Sequence, residues 1–134
     1  MNVATQTLDE ALIREATEAL SGKVRRTPVE PSKTLSTEAG VPVILKLEHL
    51  QTTGSFKARG ALFRLTRLTA DERARGVTTA SAGNHGKGLA WAAGLLDVDA
   101  EIHVPASIDE AKHRGILALG ARVVVSEHAG YDDT

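Results

Sequence analysis

The sequence predicts an α/β protein: an open, mostly parallel four-stranded sheet flanked by helices, with an N-terminal helical arm. Three observations predict it. Short β-rich runs alternate with stretches of helical periodicity. The links between them are short and marked by glycines. Residues 1–40 fall outside that alternation. Strand–helix–strand repetition with short links requires parallel strands and right-handed crossovers. The expected division is therefore an arm over 1–40, packing on something else, and an α/β unit over 41–134.

The elements follow in chain order. Leu8, Leu12, Ala16 and Ala19 make the apolar stripe of a first helix, entered through a Thr7-x-x-Glu10 capping box. Val43–Leu47 reads as the first strand. Ala58, Ala61, Leu62 and Leu65 share one face of the next helix. Thr69-x-x-Glu72 opens a further turn of helix, and Val77–Ala80 is the second strand. Leu89, Ala92, Ala93 and Leu96 repeat the helical spacing before a third strand at Glu101–Val104. Ser107-x-x-Glu110 caps the last helix, and Arg122–Val125 is the fourth strand. Gly22, Gly40, Gly76 and Gly120 stand where helices should stop. The run ends at Tyr131–Thr134, where a further helix would be expected to begin.

Composition narrows the function. The chain has 134 residues, with 16 Lys+Arg against 17 Asp+Glu and no Cys. That length suits one domain with its own core. A near-neutral balance argues against nucleic-acid or anionic-membrane partners, which call for a basic excess. Without cysteine there is no disulfide framework, thiol nucleophile or zinc-thiolate site, and a reducing compartment fits. No apolar run approaches the roughly 20 residues of a membrane span. The polar, acidic start shows no secretory leader. A cytoplasmic location is expected.

In open α/β sheets ligands sit beyond the carboxyl ends of the strands. Two polar, glycine-bearing loops fall there: Glu48–Lys57 after the first strand, and Ser81–Gly88 after the second. Gly54-Ser55 is a suitable helix start, which puts Lys57 in the first turn. The positive end of the helix dipole favours a neutral amine there, the form a Schiff-base lysine needs. A solvated lysine is the ordinary alternative, although the first turn normally favours Asp or Glu. In the second loop Gly83 permits a tight turn and Asn84 can cap the next helix. The amides of residues 84–88 then form an anion site, while Gly86, Gly88, Ala90, Ala92 and Ala93 let a neighbour approach closely. Close helix–sheet packing without a ligand is the alternative.

Sharper motifs fail. Gly54-Ser55-Phe56-Lys57 has the wrong order for a P-loop. Gly83, Gly86 and Gly88 read G-x-x-G-x-G, not the dinucleotide G-x-G-x-x-G, and Asp97, Asp99 and Glu101 lie at the wrong end of their strand for a ribose contact. His49, His85, His103, His113 and His128 form no i, i+4 pair, so no metal site is expected. His103 reads as structural, and His85 as a possible donor to an anion.

The segment Leu45-Lys46-Leu47-Glu48-His49-Leu50-Gln51-Thr52-Thr53-Gly54-Ser55-Phe56-Lys57-Ala58-Arg59-Gly60-Ala61 resembles the pyridoxal-phosphate attachment segment of the threonine/serine dehydratases, of the fold-type-II (tryptophan-synthase-β-like) class. Ala80-Ser81-Ala82-Gly83-Asn84-His85-Gly86 resembles that family's substrate loop. Pro105, Lys112 and Leu119–Val123 continue the likeness, which runs from about Arg26 to the last residue.

The resemblance implies that Lys57 carries pyridoxal 5'-phosphate as a Schiff base and moves the Cα proton. Phe56 would pack on the cofactor ring, and Asn84 would bond its ring hydroxyl oxygen. Ser81, Gly83, Asn84 and His85 would hold the substrate carboxylate. The implied reaction is β-elimination of water from L-threonine or L-serine, giving a 2-oxo acid and ammonia. Ala82 stands where serine racemases of the family carry a proton-donating Ser, which disfavours racemisation. His85 after Asn84 differs from the Thr of cysteine synthases. Small departures at Gln51–Thr53 and Gly86-Lys87 leave another hydroxy amino acid open, as in a dehydratase-like enzyme of hydroxyectoine breakdown. A non-catalytic anion-binding module is the alternative from a different class. The resemblance also implies a large domain with a glycine-rich phosphate loop, and a homo-oligomeric full-length form. Of the 12 glycines here no two are adjacent. The sequence is therefore expected to be an N-terminal portion, inactive in isolation.

Overall fold

The computed structural model describes residues 9–127. Thr7, Leu8, His128 and the Tyr131–Thr134 terminus, used above, lie outside the described residues. Helix α1 (Glu10–Leu20) is capped by Asp9, whose carboxylate accepts from Leu12 N at 2.8 Å. Strand β1 (Val29–Pro31) leads into α2 (Lys33–Ala39), which is capped by Ser32 and closed by left-handed Gly40. Strand β2 (Ile44–Lys46) returns, and a 3-10 turn over Glu48–Leu50 leads towards α3 (Lys57–Thr66). Helix α4 (Ala70–Arg75), β3 (Val77–Ala80), α5 (Asn84–Leu96), β4 (Ala100–Val104), α6 (Glu110–Leu117) and β5 (Arg122–Val125) complete the order.

The parallel sheet has three strands, β3-β4-β5, not the four expected. The run read as its first strand instead pairs antiparallel with β1, Val29 opposite Lys46 and Pro31 opposite Ile44. This small ribbon crosses the 40/41 division drawn from sequence. The reason is local: Ser32-capped α2 and the Gly40 turn reverse the chain within a few residues, so β2 meets the strand just before it. Pro28 and Pro31 masked that partner, because a proline within a run argues against an interior strand.

Registers in the parallel sheet follow the alternation of side chains. Ile102 and Val104 of β4 are fully buried, while Glu101 and His103 face the other side and bond each other at 2.5 Å. Arg122 of β5 pairs with the same Glu101. All four residues of the α3 stripe are buried. Helices α3 and α5 pack on each other more extensively than any other pair of elements. With Ile116 of α6 they close a core drawn from residues after Lys57.

The cap before α6 differs from expectation. The Thr69–Glu72 box forms as read. Before α6, however, the cap is Asp109 rather than Ser107, its Oδ1 accepting from Ala111 N at 3.0 Å and Lys112 N at 3.1 Å. A carboxylate next to the positive helix end is the stronger acceptor for those amides. Gly22, Gly40, Gly76 and Gly120 all take positive φ, as helix-ending glycines do.

Candidate functional site at the lysine turn and the 81–85 turn

Lys57 is the first residue of α3, half-buried, with its amine 5.2 Å from the centroid of the Phe56 ring. Phe56 is 60% exposed, so that aromatic face is open to a ligand. Ser55, buried, accepts from Lys57 N at 3.4 Å. The N-cap position itself falls on Phe56.

Two glycines of α5 bring the second loop to this lysine. A Cβ built on Gly88 would stand 3.1 Å from the backbone carbon and oxygen of Lys57 and 3.2 Å from its Cβ. A Cβ on Gly86 would stand 2.1 Å from the Ser81 carbonyl oxygen, closer than any side chain tolerates. The absence of side chains at 86 and 88 thus seats one helix on both turns. Asn84 is four residues before Gly88, about 6 Å along the helix axis, so the lysine turn and the 81–85 turn form one rim at the carboxyl end of β3.

Within the rim, Gly83 is the N-cap of α5 and Asn84 its first residue, one position earlier than expected. Asn84 and His85 are exposed. Lys87 N closes the first helical bond to Gly83 O at 3.1 Å, which leaves the amides ahead of it facing outward, as at any helix start. Ser81 Oγ accepts from Gly83 N at 3.3 Å, so the hydroxyl's own proton is left for a second partner. Ser81, Gly83, Asn84, His85, Phe56 and Lys57 are therefore brought together. The His103 ring turns to Glu101 instead, and no group of three metal-ligating side chains occurs among the described residues.

The structure adds residues that the sequence reading left unused. Arg59, two residues past Lys57, grips Glu48 with both ends of its fork, at 2.9 Å and 2.8 Å. Thr27 Oγ1 donates to Glu48 at 2.5 Å, and Arg59 also reaches Arg25 O at 3.0 Å. Gln51, 3% exposed, accepts from Arg25 N and Thr52 N and donates to Arg25 O, each at 2.9 Å. The Arg59 hydrogen bonds, with help from Thr27 and Lys46, hold the Glu48 carboxyl at about 2. Glu48 in turn raises Arg59 above its ordinary value. The signal was present in sequence: a loop that buries Gln, Thr and Glu must satisfy them internally, and Arg59 lies one turn from the loop's end.

Two clefts lie elsewhere. One of about 720 Å³ is bounded by Gly76, Asp97, Asp99, Glu101 and Arg122, at the amino ends of the strands. One of about 640 Å³ lies between α1 and the Arg25–Arg26 segment. Neither includes Lys57 or the 81–85 turn.

The family described as pyridoxal-phosphate dependent enzyme matches residues 20–134. The chain belongs to that family. It is 42% identical over 119 residues to an L-threonine ammonia-lyase of Geobacter sulfurreducens, covering 89% of this chain and 30% of that protein. It is 46% identical over 110 residues to an L-threo-3-hydroxyaspartate ammonia-lyase of a Pseudomonas species, covering 82% of this chain and 34% of the relative. Among solved structures, maize serine racemase superposes with a TM-score of 0.85 at 31% identity, over 96% of this chain and 39% of that one. The chain thus spans about a third of the length of the relatives it matches. The α/β fold with its parallel sheet is the one these enzymes share.

Proposed function

We propose that this chain is the N-terminal portion of a pyridoxal-phosphate-dependent dehydratase that removes water from L-threonine or L-serine, yielding a 2-oxo acid and ammonia. The observation that carries the reading is the Gly88–Lys57 contact, which sets the one first-turn lysine of α3 beside a helix start suited to a carboxylate.

The residues present fit the aldehyde and ring end of that cofactor: a half-buried primary amine, an exposed aromatic face beside it, and Asn84 one helical turn before Gly88, which packs on the Lys57 backbone. The cofactor, when bound, supplies the electron sink for charge left at the substrate Cα. Lys57 holds it and carries the Cα proton. Phe56 limits the ring's tilt, and Asn84 orients it. The Ser81 hydroxyl proton, the Asn84 and His85 side chains and the amides after Gly83 receive the carboxylate, and the absent side chain at Gly83 leaves that approach open. Alanine at 82 offers no proton to the opposite face of Cα, which favours elimination over racemisation.

The arm over 1–40 and the α/β unit over 41–134 remain part of this reading, with β2 as the link. A cytoplasmic location, no nucleic-acid partner and a homo-oligomeric longer form belong to it also. No described helix is long and apolar enough to cross a membrane. A second substrate is favoured by the 46% match to a hydroxyaspartate lyase: another hydroxy amino acid, with the same chemistry at Lys57.

The test is to mix the chain with pyridoxal phosphate, reduce with borohydride and map the adduct by mass spectrometry. Label concentrated on Lys57 supports the reading. Label scattered over surface lysines supports a non-catalytic anion-binding module.

A further inference from the structure

The cleft of about 640 Å³ between α1 and the Arg25–Arg26 segment has two unlike walls. One is apolar and comes from α1, where Ile13, Ala16 and Leu20 share a face. Ile13 is 51% exposed although the helix itself is seated: Glu15 meets Arg67 at 3.6 Å, and Leu20 packs against the core. The other wall is cationic. Arg25, Arg26, Lys46 and Arg59 all line it, and no aspartate or glutamate does.

These charges are not cancelled within the cleft. Arg59 is engaged by Glu48 at 2.8 Å. Lys46 Nζ donates to Thr27 O at 2.6 Å and Arg25 Nη1 to Leu50 O at 3.3 Å, both neutral carbonyls. Arg26 is exposed and has no hydrogen-bond or ion-pair partner among the described residues. Cations gathered in one cleft draw an anion to it. The carbonyls that end α1, the negative end of its dipole, are already taken: Ala19 O by Lys23 Nζ at 2.7 Å, and Leu20 O by Lys23 N at 3.0 Å and Val24 N at 3.3 Å. The volume suits a small molecule, an arginine fork suits the two oxygens of a carboxylate, and the apolar wall has a use only if the anion carries an apolar body.

We propose that this cleft binds a small amphiphilic anion, a carboxylate seated on Arg25 and Arg26 with its hydrocarbon body along Ile13, Ala16 and Leu20 of α1. The cleft includes neither Lys57 nor the 81–85 turn, so the inference does not rest on the functional reading above.

The experiment titrates the 134-residue chain with octanoate in a calorimeter, with acetate and 1-octanol as the charge and the hydrocarbon taken separately. Octanoate should saturate one site per chain, more tightly than either control, and its affinity should fall as salt is raised. Arg26→Gln should weaken it about 3–10-fold, the loss of one charge-assisted contact at an open site. Ile13→Ser should weaken it by a similar factor through lost apolar contact. Both side chains are exposed, so both variants should melt with the parent. Ile44→Ser, on the β1–β2 ribbon and outside the cleft, should bind octanoate as the parent does. Absence of saturable octanoate binding overturns the proposal, as does an Arg26→Gln chain with the parent's affinity. Octanol as tight as octanoate, or acetate as tight, removes one wall from the site and overturns it equally. An Ile44→Ser chain weakened as much as Ile13→Ser would place the hydrocarbon on the general apolar surface and overturn it also.

Discussion

At the scale of single residues, two glycines and one ion pair decide where Lys57 stands. Gly86→Ala places a methyl 2.1 Å from the backbone oxygen of Ser81, a residue whose N–H is held by His103 O at 2.9 Å, so the chain must move. Its unfolding midpoint in urea should drop by the equivalent of about 2–4 kcal/mol, at the upper end of single-substitution effects. Gly88→Ala meets the Lys57 backbone at 3.1 Å, a distance that a small shift relieves. It should stay folded by circular dichroism yet lose most of its Lys57 label, because the lysine moves and the fold does not. The Glu48–Arg59 pair gives a pH dependence with a defined sign. Glu48 is ordinarily near 4.5 and is held at about 2 in the folded chain. The stabilisation is present above 4.5 and is lost as pH falls towards 2. Both side chains are partly exposed, so it amounts to roughly 1–3 kcal/mol. Glu48→Gln should flatten the acid limb of a stability-against-pH curve between those values; a curve with the parent's acid limb would show that the pair contributes nothing. Lys57 and the 81–85 turn were legible in sequence because a lysine in a first turn and a glycine–asparagine helix start are local signals. The Glu48–Arg59 grip was not, since it depends on how the 3-10 turn folds the loop back.

Elements were legible where their signals are local and misread where the partner was decisive. The α3 stripe buries as spaced, and the α5 stripe buries Leu89, Ala92 and Ala93 with Leu96 partly covered, because a helical face needs only its own periodicity. β3, β4 and β5 formed at or within one residue of the expected bounds. β2 formed too, but periodicity within a strand carries no information about its neighbour, and it joined β1 instead. The Asp109 cap shows the same limit from the other side: Ser107 and Asp109 both satisfy the compositional rule, and only the helix start chooses between them. Asp109→Ala should therefore cost about 1 kcal/mol, the usual loss for an N-cap carboxylate, measured as a shift in the urea midpoint. An unchanged midpoint would mean that α6 draws its start from packing alone.

The whole molecule is built asymmetrically about Lys57. Every buried apolar residue of the described chain lies at or after Ala58. The large apolar residues left exposed concentrate before it: Ile13, Val29, Leu35, Val41, Ile44, Leu45, Leu50 and Phe56, with Ile44 the most open at 66%. An α/β unit with a closed core thus carries an N-terminal third whose large apolar side chains, Leu20 and Val24 apart, are mostly left uncovered among the described residues. Scattered exposed residues need no explanation, but a concentration on one part of a molecule marks a surface that binds. The lysine stands at the junction, its backbone packed on the closed core through Gly88 and its loop anchored by Gln51 to the uncovered segment at Arg25. Such a surface makes a prediction independent of catalysis. The isolated chain should enhance the fluorescence of a dye that binds apolar surface, and Val29→Lys with Ile44→Lys should remove much of that enhancement. The two changes should leave the unfolding midpoint within about 0.5 kcal/mol, because exposed side chains contribute little to stability. They also sit opposite the strand ends that pair, Val29 against Lys46 and Pro31 against Ile44, so a larger loss would show that the ribbon is held by those side chains rather than by its backbone. Absence of dye binding in the parent chain would mean that the N-terminal third finds cover of its own, and the asymmetry would then have no consequence in solution.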